Sequence, residues 1–215
     1  MNELRSDEEQ VEALKSWWKE NGKSIVVGLL IGLLGVWGWR LWSEKKETEA
    51  EQASITYQRM VASMAEKKPK AAKELGQELI KNHDRSTYGV LAALLLAKIE
   101  AEDGDLKKAA EHLQWANTQA KVEALATTAQ LRLARVLLSQ GKAPEAWSLL
   151  SQLKGVDDLA VYQETKGDTL AALGEKEEAR KSYQQALTLL SPLVDKSPLE
   201  MKIDNLGLDT ETPTP

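Results

Sequence analysis

The sequence predicts an all-α protein, in which one transmembrane helix near the N-terminus precedes a solenoid of about four helix pairs and a C-terminal capping helix. Three observations support this prediction. Residues 24–39 contain no charged side chain. Beyond residue 43, glycine, alanine and leucine recur in units with the same internal spacing. Phenylalanine and cysteine are absent while alanine and leucine abound, a composition that favours helices over sheets.

The predicted transmembrane helix covers residues 24–42. Its uncharged part, residues 24–39, makes a helix about 24 Å long, which is near the short end for a hydrocarbon core of about 30 Å. Lys23 and Arg40 flank this part and can reach the lipid headgroups. Membrane interfaces favour indole rings, and three lie at its C-terminal end: Trp37, Trp39 and Trp42. A cleaved signal peptide does not fit, because 23 residues of mixed charge precede the helix and no small-residue cleavage site follows it.

Glycines line one face of this predicted helix. Gly28 and Gly32 form a G-x-x-x-G pair, and Gly35 and Gly38 continue the line. Small residues let two helices approach closely inside a bilayer. We therefore predict a membrane-packing face of Gly28, Gly32 and Gly35. The alternative is that these are ordinary glycines of a membrane helix, and the sequence leaves it open.

The segment before the transmembrane helix has two interpretations. Residues 1–8 are polar and predicted to be disordered. In residues 9–19, Val11, Leu14 and Trp18 share one helical face, which indicates a short helix lying at the membrane interface. The same residues also fit an unstructured tail whose tryptophans rest at the interface.

The flanking charges do not determine on which side of the membrane the large domain lies. The positive-inside rule compares Lys and Arg near the two ends of a membrane helix. Three such residues stand on each side: Lys15, Lys19 and Lys23 before the helix, and Arg40, Lys45 and Lys46 after it. A long domain can be translocated whatever its charge, so the tie leaves both orientations possible.

Three units beyond residue 90 repeat one spacing of small and apolar residues. A small residue lies seven positions before a glycine, and further apolar or small residues follow it at offsets of 5, 9 and 12. The units are Gly104 with Ala97, Ala109, Leu113 and Ala116; Gly141 with Ala134, Ala146, Leu150 and Leu153; and Gly174 with Gly167, Ala179, Tyr183 and Ala186. A weaker unit has Lys67 at its turn and Ala72 after it. This spacing is typical of tetratricopeptide repeats, helix-turn-helix units of about 34 residues.

The repeats predict the helix bounds within residues 43–206. The expected helices are 47–65, 70–82, 87–102, 105–120, 122–140, 144–153, 157–173 and 176–190. A capping helix is expected near 198–205 and should stop at Gly207, because a repeat stack needs a polar face at its end. Residues 207–215 are predicted to be a disordered tail.

Composition and motifs give little support to catalysis. The net charge of −5 argues against a nucleic-acid partner. The chain has no cysteine and only two histidines, so the sequence predicts no metal ligands, no cofactor and no catalytic residues. Acidic pairs such as Asp157 and Asp158 stand at predicted turns, where carboxylates usually start helices or face solvent. The residues of any protein-binding groove are not evident from the sequence.

Short stretches along nearly the whole chain resemble one known family. They are Gln10-Val11-Glu12-Ala13, Trp17-Trp18, Glu20-Asn21-Gly22-Lys23, Gly38-Trp39-Arg40 with Trp42, Thr87-Tyr88-Gly89, Leu131-Arg132-Leu133-Ala134-Arg135-Val136 and Met201-Lys202-Ile203-Asp204-Asn205-Leu206. With the single transmembrane helix, they resemble the YfgM family, the ancillary subunits of the bacterial Sec translocon.

The resemblance implies a protein of the bacterial inner membrane, with residues 1–23 in the cytoplasm and residues 43–206 in the periplasm. It implies association with SecYEG and with a membrane-anchored chaperone like PpiD, in contact with membrane lipid. It also implies a part in passing exported polypeptides to periplasmic folding factors. The alternative left open by the residues is a membrane-anchored repeat scaffold or regulator of an unrelated inner-membrane complex.

Overall fold

The computed structural model describes residues 7–208, and every regular element within that range is an α-helix. The helices are α1 Asp7–Ala65, α2 Pro69–Asn82, α3 Thr87–Glu102, α4 Leu106–Gln119, α5 Glu123–Ser139, α6 Ala143–Leu150, α7 Ala160–Ala172, α8 Lys176–Leu189 and α9 Ser197–Leu208. The predicted all-α fold is confirmed.

The chain divides into two compact units, Met1–Gln52 and Ala53–Pro215. The first unit holds most of α1. Within the described residues, the helix Gln10–Ala65 is long and apolar enough to cross a membrane by length and composition. Helix α1 already includes residues 9–19, which favours the helical interpretation of that stretch over an unstructured tail. Of the residues predicted to be disordered, 1–6 lie outside the described part and Asp7 and Glu8 are helical.

The second unit is a stack of four helix pairs. The first helix of each pair, called here the A helix, is the last part of α1 (residues 53–65), α3, α5 or α7; the partner B helices are α2, α4, α6 and α8. Each B helix from α2 to α6 contacts the A helix of the next pair. Helix α5 also contacts both α3 and α7, so these A helices lie side by side in one layer.

Every pair is closed by the same turn. The residue at the predicted turn position has a positive φ in all four pairs: Lys67 (57°), Gly104 (83°), Gly141 (75°) and Gly174 (85°). The following N–H donates to a carbonyl five residues back: Lys68 to Ser63, Asp105 to Glu100, Lys142 to Leu137 and Glu175 to Leu170, at 2.8–2.9 Å. This is the Schellman motif that ends helices at a left-handed residue. Lys67 shows that the weaker unit is a repeat with the same turn.

The small residues predicted at offset 5 lie in the core of their helix pairs. Ala72, Ala109, Ala146 and Ala179 have no exposed surface. All four share a core cluster with the A helix of the same pair, for example Ala72 with Met60 and Ala109 with Ala97. The residues at offset 9 that follow them on the same face, Leu113, Leu150 and Tyr183, are also buried. The predicted register of the repeats is therefore correct.

Two predicted boundaries are wrong around residues 150–160. Helix α6 ends at Leu150 instead of residue 153, and α7 begins at Ala160 instead of residue 157. The connection contains Gly155, whose φ of 67° is incompatible with a right-handed helix. It also places Val156 in the core, 4% exposed, so the irregular chain is fixed by packing.

Helix α9 extends further than predicted. It continues through Gly207 to Leu208, because Gly207 does not adopt a positive φ and the preceding Leu206 is buried against the last pair. The predicted tail therefore does not begin at residue 207, and residues 209–215 lie outside the described part. Helix α9 contacts α8 and exposes Glu200, Asp204 and Asn205, as expected of a cap with a polar outer face.

Candidate membrane anchor and partner-binding surfaces

The apolar part of α1 has no protein core of its own. Leu30 is 53% exposed, Leu34 65% and Val36 69%. Contiguous exposed apolar surface of this kind marks contact with lipid or with another protein. The first unit is therefore a candidate membrane anchor.

The predicted membrane-packing face lies in open space. A Cβ atom placed on Gly28, Gly32, Gly35 or Gly38 would meet no atom within 4 Å. No contact within the described chain explains these glycines. A packing role for Gly28, Gly32 and Gly35 remains a prediction.

The layer of A helices offers one candidate surface for a protein partner. Helix α3 exposes Lys98 and Glu102, and α5 exposes Arg132 and Arg135. Leu91 and Leu95 of α3 are only partly buried. Because α5 lies beside both α3 and α7, these side chains belong to one face of the domain, which combines apolar and charged groups.

A second candidate surface is a half-buried charged cluster at the C-terminal end of the stack. Lys202 of α9 places its Nζ 2.8 Å from Glu164 Oε1 and 2.7 Å from Asp168 Oδ1, both on α7. Arg135 of α5 donates from Nη2 to Glu164 Oε2 at 3.2 Å. Tyr183 of α8 donates its hydroxyl to Asp168 Oδ1 at 2.9 Å. The cluster thus joins four helices.

Burial and charge shift two pKa values in this cluster. Burial by itself lowers the pKa of Lys202, but its hydrogen bonds to Asp168 and Glu164 outweigh burial and raise the pKa above the ordinary value. Burial, with the negative charge of Asp168, raises the pKa of the Tyr183 hydroxyl far above the usual value for tyrosine. Lys202 therefore stays charged and Tyr183 stays neutral throughout the physiological range.

A comparable cluster lies nearer the start of the stack. Lys73 of α2 donates to Glu100 Oε2 at 2.9 Å and to Asp103 Oδ2 at 2.8 Å. Glu100 is only 4% exposed, so Lys73 supplies the counter-charge that a buried carboxylate needs. Burial also lowers the pKa of His112 on α4, against the charge of Glu100. Among the described residues, no group of histidine and acidic side chains is arranged to hold a metal ion.

The sequence interpretation did not identify the cluster around Lys202. Lys202 and Arg135 both lie in stretches that carry the family resemblance, at 201–206 and 131–136. The available signal was the pair Glu164 and Asp168, four residues apart in a predicted helix. Like charges at that spacing destabilise a helix unless a cation lies between them.

Comparisons with known proteins agree with this architecture. A family model described as a tetratricopeptide repeat-like domain matches residues 15–208. The "Ancillary SecYEG translocon subunit" of Escherichia coli (strain K12) is 32% identical over 212 residues, covering 97% of this chain and 100% of the relative. The protein of the same name from Haemophilus influenzae (strain ATCC 51907 / DSM 11121 / KW20 / Rd) is 34% identical over 200 residues, covering 93% of this chain and 97% of the relative.

A solved structure shows the same fold. The "MamA RS-1 ArsTM double mutant" superposes with a TM-score of 0.55 at 13% identity, covering 74% of this chain and 97% of that chain. This likeness concerns the fold alone. The sequence relatives match the anchor and the repeats together, over nearly their whole length. The chain therefore belongs to the family of ancillary SecYEG translocon subunits, built on a tetratricopeptide repeat-like domain.

Proposed function

We propose that this protein is an ancillary subunit of the Sec translocon, a membrane-anchored helical-repeat adaptor without enzymatic activity. One observation carries the proposal. The relatives named as ancillary SecYEG translocon subunits match this chain from the anchor to the last helix, and the E. coli relative is covered completely. A match confined to the repeats would have supported only a generic binding module.

In this proposal the anchor holds the repeats beside the translocon. Residues 1–23 lie in the cytoplasm, residues 24–42 cross the inner membrane among lipid, and residues 43–206 lie in the periplasm. The exposed apolar side chains of α1 support the membrane position. The orientation is supported by the family resemblance, since the flanking lysines and arginines are balanced.

The repeat domain works with a PpiD-like chaperone and passes exported polypeptides to periplasmic folding factors. The exposed layer of A helices supports a binding role, because stacked helix pairs present an extended surface to one partner. Its mixture of partly buried leucines and exposed charges suits a polypeptide segment with both apolar and polar side chains.

Site-specific photo-crosslinking in membranes that carry a stalled secretory chain tests this proposal. A crosslinker replacing Leu34 in the anchor should capture translocon subunits. One replacing Arg132 on the A-helix layer should capture the stalled chain or the chaperone. Glu111, exposed on B helix α4, is the matched control and should capture neither. Capture of a different membrane complex, without translocon subunits, would favour the alternative of an unrelated scaffold or regulator.

The glycine face gives a second test of translocon association. Gly28→Leu or Gly32→Leu should reduce co-purification with translocon subunits in mild detergent, because leucine blocks close helix approach while favouring insertion. Leu30→Met is the control, since position 30 is turned about 200° from position 28 around the helix. Unchanged co-purification of both glycine variants would show that the glycines have no packing role.

A further inference from the structure

Helix α9 covers two carboxylates that would otherwise repel each other. Glu164 and Asp168 stand one turn apart on α7, and like charges at this spacing weaken a helix. Lys202 Nζ lies within hydrogen-bond distance of both, at 2.8 Å from Glu164 Oε1 and at 2.7 and 3.0 Å from the two Asp168 oxygens. It also stands 5.7 Å from the centroid of the Tyr183 ring. A single ammonium group therefore bridges the two carboxylates and reduces their repulsion.

The two carboxylates are held in place by groups outside α9. Arg135 of α5 binds Glu164 Oε2, and the hydroxyl of Tyr183 on α8 binds Asp168 Oδ1. Arg135 is fixed in turn by its Nε donating to Thr165 Oγ1 at 3.0 Å. The pair Glu164 and Asp168, named here the acidic seat, is thus built by α5, α7 and α8. A preorganised acceptor of this kind binds a cation without first being ordered.

An apolar surface, named here the apolar floor, lies beside the acidic seat and beneath α9. Leu199 and Leu206 of α9 are buried, and Ile203 packs with them. They belong to one cluster with Trp147 of α6 and with residues of the last helix pair: Leu170, Ala171, Ala179, Tyr183, Ala186, Leu187 and Leu190. The surface therefore fits an amphipathic helix with three apolar residues, the second four positions after the first and the third three positions after the second. A basic residue stands directly before the second apolar residue.

The connection between α8 and α9 contributes little to keeping α9 docked on the domain. Leu193 is 96% exposed and Val194 is 47% exposed, so neither side chain is anchored in the core. The described contacts of α9 are then concentrated on three apolar residues and one lysine. A helix with the same pattern of side chains makes the same contacts when it comes from another chain.

We propose that the acidic seat and its apolar floor are a binding surface for a basic amphipathic helix of a partner protein, and that α9 is an internal ligand that covers this surface. The partner binds in place of α9 and presents its own lysine or arginine to Glu164 and Asp168. Because α9 must leave first, the apparent affinity is reduced by the fraction of molecules in which α9 is undocked. This surface adjoins the A-helix layer, with which it shares α7 and Arg135, and the proposal does not depend on the translocon role.

The test uses the full-length protein in detergent with Lys202→Glu, which places a third carboxylate against the acidic seat. Hydrogen exchange of residues 199–206 should rise by about tenfold or more, while exchange in α3 to α6 should not change. A fluorescent peptide with the sequence of residues 197–208 should bind this variant and not the unsubstituted protein. The same peptide carrying Lys202→Glu should not bind.

Two further variants serve as controls. Lys202→Arg keeps the positive charge and should keep exchange low. Lys181→Glu removes an exposed lysine that pairs with Glu178 at 2.8 Å on the same stack, and it should leave α9 protected.

Three results would each overturn the proposal. Unchanged exchange in Lys202→Glu would show that the lysine does not hold α9. An exposed α9 without peptide binding would show that the vacated surface is not a binding site. Faster exchange throughout α3 to α6 would show that the cluster supports the whole domain and is structural.

Discussion

The two middle repeats and the two outer repeats fill the same helix crossing with different residues. At each crossing, the A-helix residue seven positions before the turn residue meets the B-helix residue nine positions after it. The four pairs are Met60 with Gly76, Ala97 with Leu113, Ala134 with Leu150, and Gly167 with Tyr183. The middle repeats combine alanine with leucine, whereas each outer repeat combines a glycine with a larger side chain.

The outer pairs are reversed with respect to each other. In the first repeat the large residue belongs to the A helix, and a Cβ atom on Gly76 would lie 2.7 Å from Met60 Cε. In the last repeat the large residue belongs to the B helix, and a Cβ atom on Gly167 would lie 2.5 Å from the Tyr183 ring. What the repeats share is the combined volume at the crossing, not the identity of either residue. Such volume-conserving exchanges are the ones that cores tolerate best.

Among these substitutions, Gly167→Leu should change the free energy of unfolding most. Four extra carbon atoms would enter space already occupied by the Tyr183 ring, and we expect a loss of about 3 kcal/mol or more in the free energy of unfolding. Urea unfolding of the full-length protein in detergent, followed by circular dichroism, measures it. Asp158→Ala, at an exposed turn position, is the control and should cost about 0.5 kcal/mol at most. A loss as small as that of the control would mean that the crossing is not tight.

A double substitution tests whether combined volume at the crossing sets stability. Gly167→Ala alone should cost about 1–3 kcal/mol, because its Cβ overlaps Tyr183. Adding Tyr183→Leu recreates the alanine and leucine pair of the middle repeats and should recover at least about 1 kcal/mol relative to the sum of the single effects. Additive effects of the two substitutions would contradict the role of combined volume.

Alkaline pH should destabilise the last repeat more than the other repeats. The pKa of Tyr183 is raised in the folded state, so its contribution to stability is complete below the unfolded pKa of about 10 and is lost as pH rises above it. Lys202, whose pKa is also raised, changes stability in the same direction. The charged groups that act on both are Glu164 and Asp168, and Arg135 is bound to Glu164.

We expect Tyr183 to account for about 1 kcal/mol of lost stability between pH 9 and pH 11, measured by urea unfolding. Tyr183→Phe removes this ionisation and should lose less over the same interval. Tyr162, whose pKa burial also raises, titrates in both proteins and cancels in the comparison. Equal losses in the two proteins would show that Tyr183 is not protected from ionisation.

Lys67→Gly should have the smallest effect, and it should be stabilising. Lys67 has a φ of 57°, a conformation that costs a non-glycine residue about 1–2 kcal/mol. Glycine removes this strain but has more freedom in the unfolded chain, so we expect a net gain of about 0.5–1 kcal/mol. Lys67→Ala keeps the Cβ and is the matched control without gain. A neutral or destabilising Lys67→Gly would mean that the lysine makes an interaction that offsets its strain.

The turns and the helix pairs could be predicted because their determinants are close in the sequence. In three repeats a glycine at the turn and a small residue five positions later act within one helix pair, so their spacing alone predicts that Ala109, Ala146 and Ala179 are buried. The same spacing also predicts the first repeat, whose turn residue is Lys67, although a lysine is unusual at that position. Helix bounds of α2 to α5 and of α8 were predicted to within one residue for the same reason.

The connection between α6 and α7 could not be predicted from local spacing. Pattern alone extended both helices into residues 151–159, since Leu153 continues the apolar series. The observed loop depends on Val156 entering a core formed by α5, α6 and α7. The position of those helices, which local spacing does not show, brings Val156 into the core from an irregular connection.

Apolar length and short-range periodicity are properties of the chain, so the candidate membrane span, the repeat architecture and the family resemblance could be predicted from the sequence. Which distant charges meet depends on how the helices pack. Lys202 lies 34 residues from Asp168 and 67 from Arg135, and these side chains form one cluster only because α9 takes the place of the next A helix. Charge pairing between faces of different helices depends on their packing, and periodicity within one helix does not specify it.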